Sequence, residues 1–428
     1  MEEDSVSART QVNRSQQRNA GGWQGSTLHP FSPDVKRCPY PYYDRWREEN
    51  PVVWNDEMGA WLVTGFREAA FVLEHHEMFS STNSVFMPQA ENVETFPSII
   101  NTDEPRHKKL RALVTKAFTP RSIERDWAPR IERIVNEQLD GVCGETFNVV
   151  ADLAYPLPVR MIAEIIGVES EKFPQFKHWS DEIAKRIGVE EPENPAEFEA
   201  ALYSLSAYFF EQTDLRRREP RDDLLTRLVG AEVDGQRLTP AELQAFLVLL
   251  LVAGNETTTN LIATAIAVLA QNPDMMRRIR DDRSLVSNLI EESLRWEAPI
   301  QGFYRRATQD LALAGAQIKS GDPLCVLYGA GNRDPVEFEC PEQFHLDRGR
   351  RDHLAFGKGI HFCLGANLAR VEAEIAVNAV LDRFETLTPQ PGFEVQWRPT
   401  PFFRGMVEYP VRHTLRKAGA EAPSRKSP

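Results

Sequence analysis

The sequence has few cysteines, no excess of positive charge and no long hydrophobic run. Its five cysteines are an odd number without a C-x-x-C pair, so their spacing indicates neither a disulfide framework nor a zinc knuckle. The formal net charge of −13 argues against a nucleic-acid binder, which needs a basic face to neutralise phosphates. A small neutral substrate fits this composition better.

The ends of the chain carry no signal for export or membrane insertion. The longest apolar run, 245–253, is much shorter than the about 20 residues that cross a bilayer, and the polar N-terminus has no apolar signal region. We therefore expect a cytoplasmic protein that binds no membrane. Polar termini, 1–26 and 416–428, are predicted to be disordered tails of a single domain, 27–415.

Helical periodicity dominates the middle of the chain, and short strand-like stretches lie early and late. The predicted strands are 52–54, 60–64, 311–313 and 323–327. Cap and proline signals predict one long helix from Pro240 to about Gln271 and another from Ser284 to a point before Pro299. These patterns predict a mainly α fold with small β-sheets (α+β).

One cysteine lies between a glycine-rich loop and an apolar helix, in the segment Phe356-Gly-Lys-Gly-Ile-His-Phe-Cys363-Leu-Gly-Ala-Asn-Leu-Ala-Arg370. A helix start offers free backbone N–H groups and the positive end of a dipole, and both favour a thiolate. Gly357, Gly359 and Gly365 allow the backbone to approach a flat cofactor closely. Alone, a cysteine in this position is most often a buried, inert residue.

The long helix contains the polar segment Ala253-Gly-Asn-Glu-Thr-Thr258 within an apolar stripe. Ordinary explanations exist, because a threonine can bond to the carbonyl four residues earlier and a glycine can serve close packing. Glu256 needs a further reason, since an unpaired buried carboxylate is costly. Nearby, Glu292 and Arg295 are spaced as an i,i+3 ion pair, which on a surface would contribute little.

These motifs resemble those of the cytochrome P450 family over about 28–415. The cysteine segment matches the family loop F-G-x-G-x-H-x-C-x-G-x-x-x-A at each of those positions. The helix segment is similar to A/G-G-x-D/E-T-T, and the ion pair to the buried E-x-x-R. In the family's P-E-R-F stretch this chain has Gln343 in place of arginine, so the third member of that network stays open.

The resemblance implies a single P450-type domain that holds haem b between the long helix and the cysteine loop. Cys363 would ligate the iron, and Glu256 and Thr257 would conduct protons to dioxygen. Gly254 would leave room for the oxygen molecule. The residues that would contact haem, including four that would bind its propionates, are Ala253, Gly254, Phe356, Gly357, Cys363 and Gly365, with His107, Arg111, Arg305 and His353.

The implied reaction is oxidation of an apolar small molecule such as a terpenoid, steroid, fatty acid or aromatic compound. The expected pocket is apolar and rich in aromatic side chains, although most of its members could equally be ordinary core. The expected lining residues are Phe86, Met87, Phe96, Ile99, Ile100, Leu249, Val252, Ala253, Ile300, Phe303, Phe402 and Phe403.

Electrons would come from NAD(P)H through a separate ferredoxin (or flavodoxin) and its reductase, since no segment reads as a redox domain. Arg106, Lys108, Lys109 and Lys116 form a basic patch that could dock an acidic ferredoxin or could be solvated surface charge. A peroxide-driven peroxygenase and a non-enzymatic haem sensor or carrier are the alternatives. The Glu256–Thr257 pair argues against both.

Overall fold

The helices surround one very long central helix. The computed structural model describes residues 28–30, 32–82, 98–115, 118–184, 194–349, 352–398 and 402–416. Its helices are α1 (Pro33–Arg37), α2 (Tyr40–Glu49), α3 (Phe66–Glu74), α4 (Arg106–Thr115), α5 (Pro120–Ser122), α6 (Ala128–Asp140), α7 (Pro156–Ile166), α8 (Phe173–Ala184), α9 (Pro195–Arg218), α10 (Leu224–Gly230), α11 (Pro240–Gln271), α12 (Pro273–Asp281), α13 (Leu285–Trp296), α14 (Tyr328–Gly331) and α15 (Ala366–Arg383).

Three small sheets flank the helices. The largest has the order β1-β2-β8-β5-β3, the second β4-β10-β9, and the third pairs β6 with β7. The strands are β1 (Val52–Asn55), β2 (Ala60–Val63), β3 (Phe79–Ser80), β4 (Thr146–Asn148), β5 (Phe303–Ala307), β6 (Leu311–Leu313), β7 (Ala316–Ile318), β8 (Pro323–Val326), β9 (Phe384–Pro389) and β10 (Pro410–Leu415). The predicted mainly α fold with small sheets is confirmed.

The long helix α11 begins and ends where its sequence signals predict. Thr239 and Glu242 form a capping box around Pro240, so the first backbone N–H groups are satisfied, and Asn272 and Pro273 follow the last turn. The helix packs against α7, α8, α9, α13 and α15, which leaves few of its faces in contact with solvent. It therefore forms the centre of the largest hydrophobic core.

Within the described residues, α11 is the helix that is long and apolar enough to cross a membrane. Of its most apolar segment, however, 67% is buried inside the protein. Because neighbouring helices cover most of this segment, its apolar character is that of a buried core helix.

Candidate active site

Cys363 lies just before the first turn of α15, at the end of the glycine-rich loop. Its backbone N–H donates to the Phe356 carbonyl at 2.9 Å, and Gly365 caps the helix. Gly357 and Gly359 have φ angles of 67° and 66°, which other residues rarely adopt. At Gly359 a β-carbon would also lie 2.4 Å from the Leu73 carbonyl oxygen. These glycines therefore fix the path of the loop that presents the sulfur.

The thiol of Cys363 is accessible, yet protein surrounds it closely. Burial raises its pKa, whereas the N–H groups of Gly365 and Ala366 act to lower it. The charges of Arg111 and Arg370 also favour the thiolate. These N–H groups and positive charges can stabilise the anionic form of the thiol.

Four basic side chains from different parts of the chain meet near this loop: His107 and Arg111 of α4, Arg305 of β5 and His361. The rings of His107 and His361 lie 4.3 Å apart, measured between their centres. Burial, followed by the charges of Arg305, His107 and Arg111, lowers the pKa of His361 to about 3. Two arginines and two histidines brought together in this way indicate a site for an anion.

The hydrogen bonding of the two histidines supports this assignment. His361 Nδ1 contacts the Ile99 carbonyl at 3.1 Å, and its buried Nε2 has no hydrogen-bond partner among the described residues. Neither ring nitrogen of His107 makes a hydrogen bond there, and the nearest acid, Glu104, is 3.5 Å away. Buried polar atoms are normally satisfied, so these nitrogens are available to a ligand.

His353, which the sequence analysis placed in the propionate set, belongs to another cluster. Its Nε2 lies 3.3 Å from Glu291, and its Nδ1 accepts a hydrogen bond from the Ala355 N–H. Glu291 also pairs with Arg370, and these partners outweigh burial and lower the pKa of Glu291 to about 2. His353 therefore lies beside Glu291, and its assignment to the propionates stays a prediction, since its Nε2 has no hydrogen-bond partner among the described residues.

His361, which the sequence analysis did not assign to the propionates, lies beside His107, with Arg111 and Arg305 nearby. It stands two residues before Cys363, inside the glycine-rich loop, and its position in the F-G-x-G-x-H-x-C pattern was the available signal. The fold turns this residue toward α4 instead of toward solvent, which no local pattern reveals.

The polar segment of α11 has an exposed residue, Ala253, and a buried acid, Glu256. Ala253 is exposed in the middle of the helix, although most of the residues around it are buried. The Thr257 hydroxyl donates to the Ala253 carbonyl at 2.7 Å, which is the local back-bond that threonines often form in helices. Glu256 is buried, and burial raises the pKa of its carboxyl, while Arg398 at 3.2 Å acts to lower it. This carboxylate therefore has a partner that the sequence analysis missed.

Gly254 lies against α7. A β-carbon on Gly254 would be 2.5 Å from Ile162 Cδ1, closer than nonbonded carbons approach. Close packing of α7 on α11 therefore explains this glycine. The predicted role of Gly254 in leaving space for dioxygen stays a prediction.

Arg295 and Glu292 form a buried bidentate pair, with contacts of 2.7 and 2.8 Å. Arg295 also donates to the carbonyls of Asn332, Pro341 and Gln343, at 2.8 to 3.0 Å. These carbonyls belong to the chain that leads from β8 to the cysteine loop. The pair is thus structural, and it holds that chain against α13.

The open third position of this network is filled by Arg348. Its Nε lies 3.1 Å from Glu292, and its side chain is 7% exposed. Burial alone would raise the pKa of Glu292, but Arg295, the His345 N–H and Arg348 together lower it. Gln343 contributes only its backbone carbonyl, so an arginine five residues later replaces the cation expected in the P-E-R-F stretch.

The predicted pocket residues differ in the surface that they offer to a ligand. Ile99, Ile100, Leu249, Ala253 and Phe303 keep accessible side-chain surface. The predicted residues Val252, Ile300 and Phe403 are more than nine-tenths buried, and Phe403 pairs with Ile300 across a β-bridge. Phe86, Met87 and Phe96 lie outside the described residues.

Phe402 is a correction to the predicted pocket. It is only 1% exposed and packs against the rings of Phe303 and Tyr304, with ring centres 6.0 and 5.9 Å away. Its neighbour Phe403 belongs to a different core cluster. Phe402 is therefore ordinary core and offers almost no surface to a substrate.

These features fit haem. An accessible cysteine precedes a helix start, two arginines and two histidines with unpartnered ring nitrogens lie near it, and Ala253 is exposed on the helix that packs against α15. Thiolate, cations and apolar surface are the groups that iron, propionates and a porphyrin face require. No cluster of three or more His, Cys, Asp or Glu suited to a metal ion occurs within the described ranges.

Comparison with known proteins gives the same result. Residues 197–403 match the profile of the family described as Cytochrome P450. The curated protein Cytochrome P450 109 of Bacillus spizizenii is 38% identical, over 88% of this chain and 92% of its own length. The chain belongs to the cytochrome P450 family. It is a P450 monooxygenase that uses haem and dioxygen, with electrons from NAD(P)H delivered by partner proteins.

Solved P450 structures share the whole fold. A cytochrome P450 from Chondromyces apiculatus has a TM-score of 0.83 at 37% identity and covers 91% of this chain and 99% of its own. A cytochrome P450 from Bacillus megaterium, solved in complex with corticosterone, has a TM-score of 0.80 at 38% identity, covering 89% and 99%. The likeness covers about nine-tenths of this chain in both structures.

Proposed function

We propose that this P450 hydroxylates an apolar small molecule by using Cys363 as the iron ligand and Glu256 with Thr257 as its proton relay. The observation that carries the proposal is the accessible Cys363 thiol before α15, the helix on which α11 packs. When bound, haem supplies the activation of dioxygen, and a thiolate ligand favours cleavage of the O–O bond. The residues of the chain bind the haem, exclude water and move protons.

The four basic groups His107, Arg111, Arg305 and His361 would hold the propionates. Arg111 and Arg305 supply permanent positive charge, whereas both histidines present buried nitrogens that have no hydrogen-bond partner among the described residues. A carboxylate in a protein interior is stable when cations and hydrogen-bond donors surround it, whereas an unpaired buried carboxylate is costly. This set would therefore hold the haem by its propionates.

Glu256 and Thr257 would deliver protons in two steps. The Glu256 carboxylate accepts a proton from the solvent side, and the Thr257 hydroxyl passes one on at the haem side. The Thr257 hydroxyl donates to the Ala253 carbonyl, and it can donate elsewhere after rotation about χ1. An acid and a hydroxyl on adjacent residues can thus connect solvent to a dry reaction site.

We propose a steroid-sized substrate. Accessible aliphatic and aromatic surface at Ile99, Leu249 and Phe303 can bury a rigid apolar skeleton without leaving polar groups unpaired. The Bacillus megaterium relative accommodates corticosterone in the same fold. A shift of the Soret band on titration with steroids, compared with fatty acids of equal carbon number, would rank the two classes.

We propose a ferredoxin as the electron donor and the cytoplasm as the location. Of the predicted basic patch, Arg106 pairs with Glu242 at 2.9 Å. Lys116 lies outside the described residues. Lys108 and Lys109 remain exposed on α4, the helix that carries His107 and Arg111. Charge reversal at both lysines should reduce ferredoxin-supported turnover at low salt more than at high salt.

The relay is tested by Thr257→Ala, with ferredoxin, reductase and NAD(P)H supplied. Haem content and substrate affinity should stay close to those of the parent, because one hydroxyl and one methyl group are lost. Cofactor oxidation should continue, with less product for each electron pair and more hydrogen peroxide. Thr257→Ser keeps the hydroxyl and is the matched control. Equal coupling in Thr257→Ala and the parent would refute the relay and favour a peroxide-driven enzyme.

A further inference from the structure

A turn between β9 and β10 brings a positive charge onto the long helix beside Glu256. In this turn the Arg398 N–H donates to the Gly405 carbonyl at 2.9 Å, and the Val407 N–H donates to the Gln396 carbonyl at 2.8 Å. Trp397 and Met406 pair between them in an isolated bridge. Arg398 is thus fixed at its backbone.

The turn is pressed directly against α11. A β-carbon on Gly405 would lie 1.9 Å from Oδ1 of Asn260, which stands one turn after Glu256 on the helix. Only glycine permits this approach, so the distance between the turn and the helix is set by packing. The position of Arg398 over Glu256 follows from that packing.

The ion pair spans the boundary between interior and surface. Arg398 Nη1 lies 3.2 Å from Glu256 Oε1, and the two side chains are 28% and 8% exposed. Glu256 Oε2 is buried without a hydrogen-bond partner among the described residues. Within that part of the chain, Arg398 is the charged group that acts on the Glu256 carboxyl.

A second charged cluster lies on the outer side of Arg398. The Arg398 guanidinium is 5.9 Å from the centre of the Tyr155 ring. The Tyr155 hydroxyl donates to Asp181. Lys177 lies 3.2 Å from Asp181 and 4.6 Å from the centre of the same ring. Lys177 and Asp181 are 47% and 32% exposed, so this cluster opens to water.

We propose that Arg398 is a positioning residue for proton delivery: it holds the Glu256 carboxylate toward solvent, beside the cluster of Tyr155, Asp181 and Lys177. The inference rests on the proposed relay and adds its outer end. Only O–H bonds form and break: solvent supplies the proton, a Glu256 oxygen accepts it, and the relay passes one proton inward. Arg398 stays protonated throughout, since its guanidinium does not titrate in proteins.

The experiment compares Arg398→Gln with Arg398→Lys, and with Arg412→Gln as a control at an exposed arginine of β10. Two quantities are measured on the haem-loaded protein. One is product and peroxide formed for each NAD(P)H. The other is the infrared titration of the Glu256 carboxyl in the ferric protein without turnover, assigned by its loss in Glu256→Gln.

Removal of the charge should reduce coupling several-fold and raise the pKa of the Glu256 carboxyl by about one unit or more, because an opposite charge within hydrogen-bond distance lowers a carboxyl pKa by about 1–3 units. Arg398→Lys should retain most of the parental coupling and a pKa of the Glu256 carboxyl close to that of the parent. In a Glu256→Gln background, Arg398→Gln should change coupling no further. A purely structural arginine would alter stability but not the titration.

The proposal would be overturned if Arg398→Gln formed as much product for each NAD(P)H as the parent and if the titration of its Glu256 carboxyl were unshifted. If Glu256→Gln and Thr257→Ala also couple normally, the relay itself fails; if they uncouple and Arg398→Gln does not, only the role of Arg398 fails. Where Arg398→Gln does not fold, Arg398→Met keeps an unbranched apolar side chain beside Tyr155 without the charge and serves the same comparison.

Discussion

The replacement Arg295→Ala tests the buried network that holds the chain leading to the cysteine loop. In the parent, Arg295 is 1% exposed and donates to Glu292 and to three backbone carbonyls. The variant leaves these acceptors buried with fewer donors, although Arg348 and the His345 N–H remain on Glu292. Breaking a buried pair from one side costs about 3–5 kcal/mol.

That loss is large on the scale of the whole protein. Native domains are stable by about 5–15 kcal/mol, so the variant would lose roughly a fifth or more of its free energy of unfolding. We expect a markedly lower midpoint of urea unfolding, followed by circular dichroism, and a low haem content in purified protein. Arg295→Lys keeps the charge but loses the planar fork, and its midpoint should fall between the two.

The matched control is Arg217→Ala on α9. Arg217 pairs with Asp214 at the same i,i+3 spacing and 2.8 Å, but the two side chains are 47% and 63% exposed. Exposed pairs contribute about 0–1 kcal/mol, so its midpoint should stay near that of the parent. Equal midpoints and equal haem content in Arg295→Ala and Arg217→Ala would refute the account of the buried network.

Three further predictions follow from single contacts. Arg348→Gln should lower stability by about 1.5–3 kcal/mol, less than Arg295→Ala, because Glu292 keeps its first cation; a larger loss than in Arg295→Ala would contradict this order. Gly254→Val should cost about 1–3 kcal/mol through its clash with Ile162 Cδ1, and adding Ile162→Val should recover part of the loss of unfolding free energy; an additive double variant would exclude the clash. Burial raises the pKa of Glu372 to about 8, so the folded state keeps a proton that the unfolded state releases above the ordinary value of 4.5. Stability should therefore fall as pH rises from 4.5 to 8, and Glu372→Gln should weaken that fall, as urea titrations at several pH values would show; an unchanged slope would mean that the carboxyl is ionised in the fold.

Much of the fold is predictable because its signals are local. The capping box at Thr239 and the apolar run after Pro240 specify α11 directly, and the four predicted strands appear at β1, β2, β6 and β8. The loop before α15 is equally predictable, since its glycines and cysteine lie close together in the sequence. Where residues close in sequence determine the local structure, the predicted elements agree with the observed ones.

The errors and omissions concern contacts between distant segments. His353 and His361 both lie shortly before Cys363 in the sequence. Only the fold places His353 beside Glu291 and His361 beside His107 of α4. Arg348 and Arg398 reach acids on α13 and α11 from loops far along the chain. Such pairings depend on tertiary packing and leave no periodic trace in the sequence.

The carbonyl complex of the reduced protein tests the central claim, that the Cys363 thiolate holds the haem iron. The parent should show the red-shifted Soret band of a thiolate-ligated haem, and so should variants with Cys38, Cys143, Cys325 and Cys340 replaced by serine. Cys363→His should lose that band and show the spectrum of a histidine-ligated haem. A thiolate-type band that persists in Cys363→His would contradict the assignment.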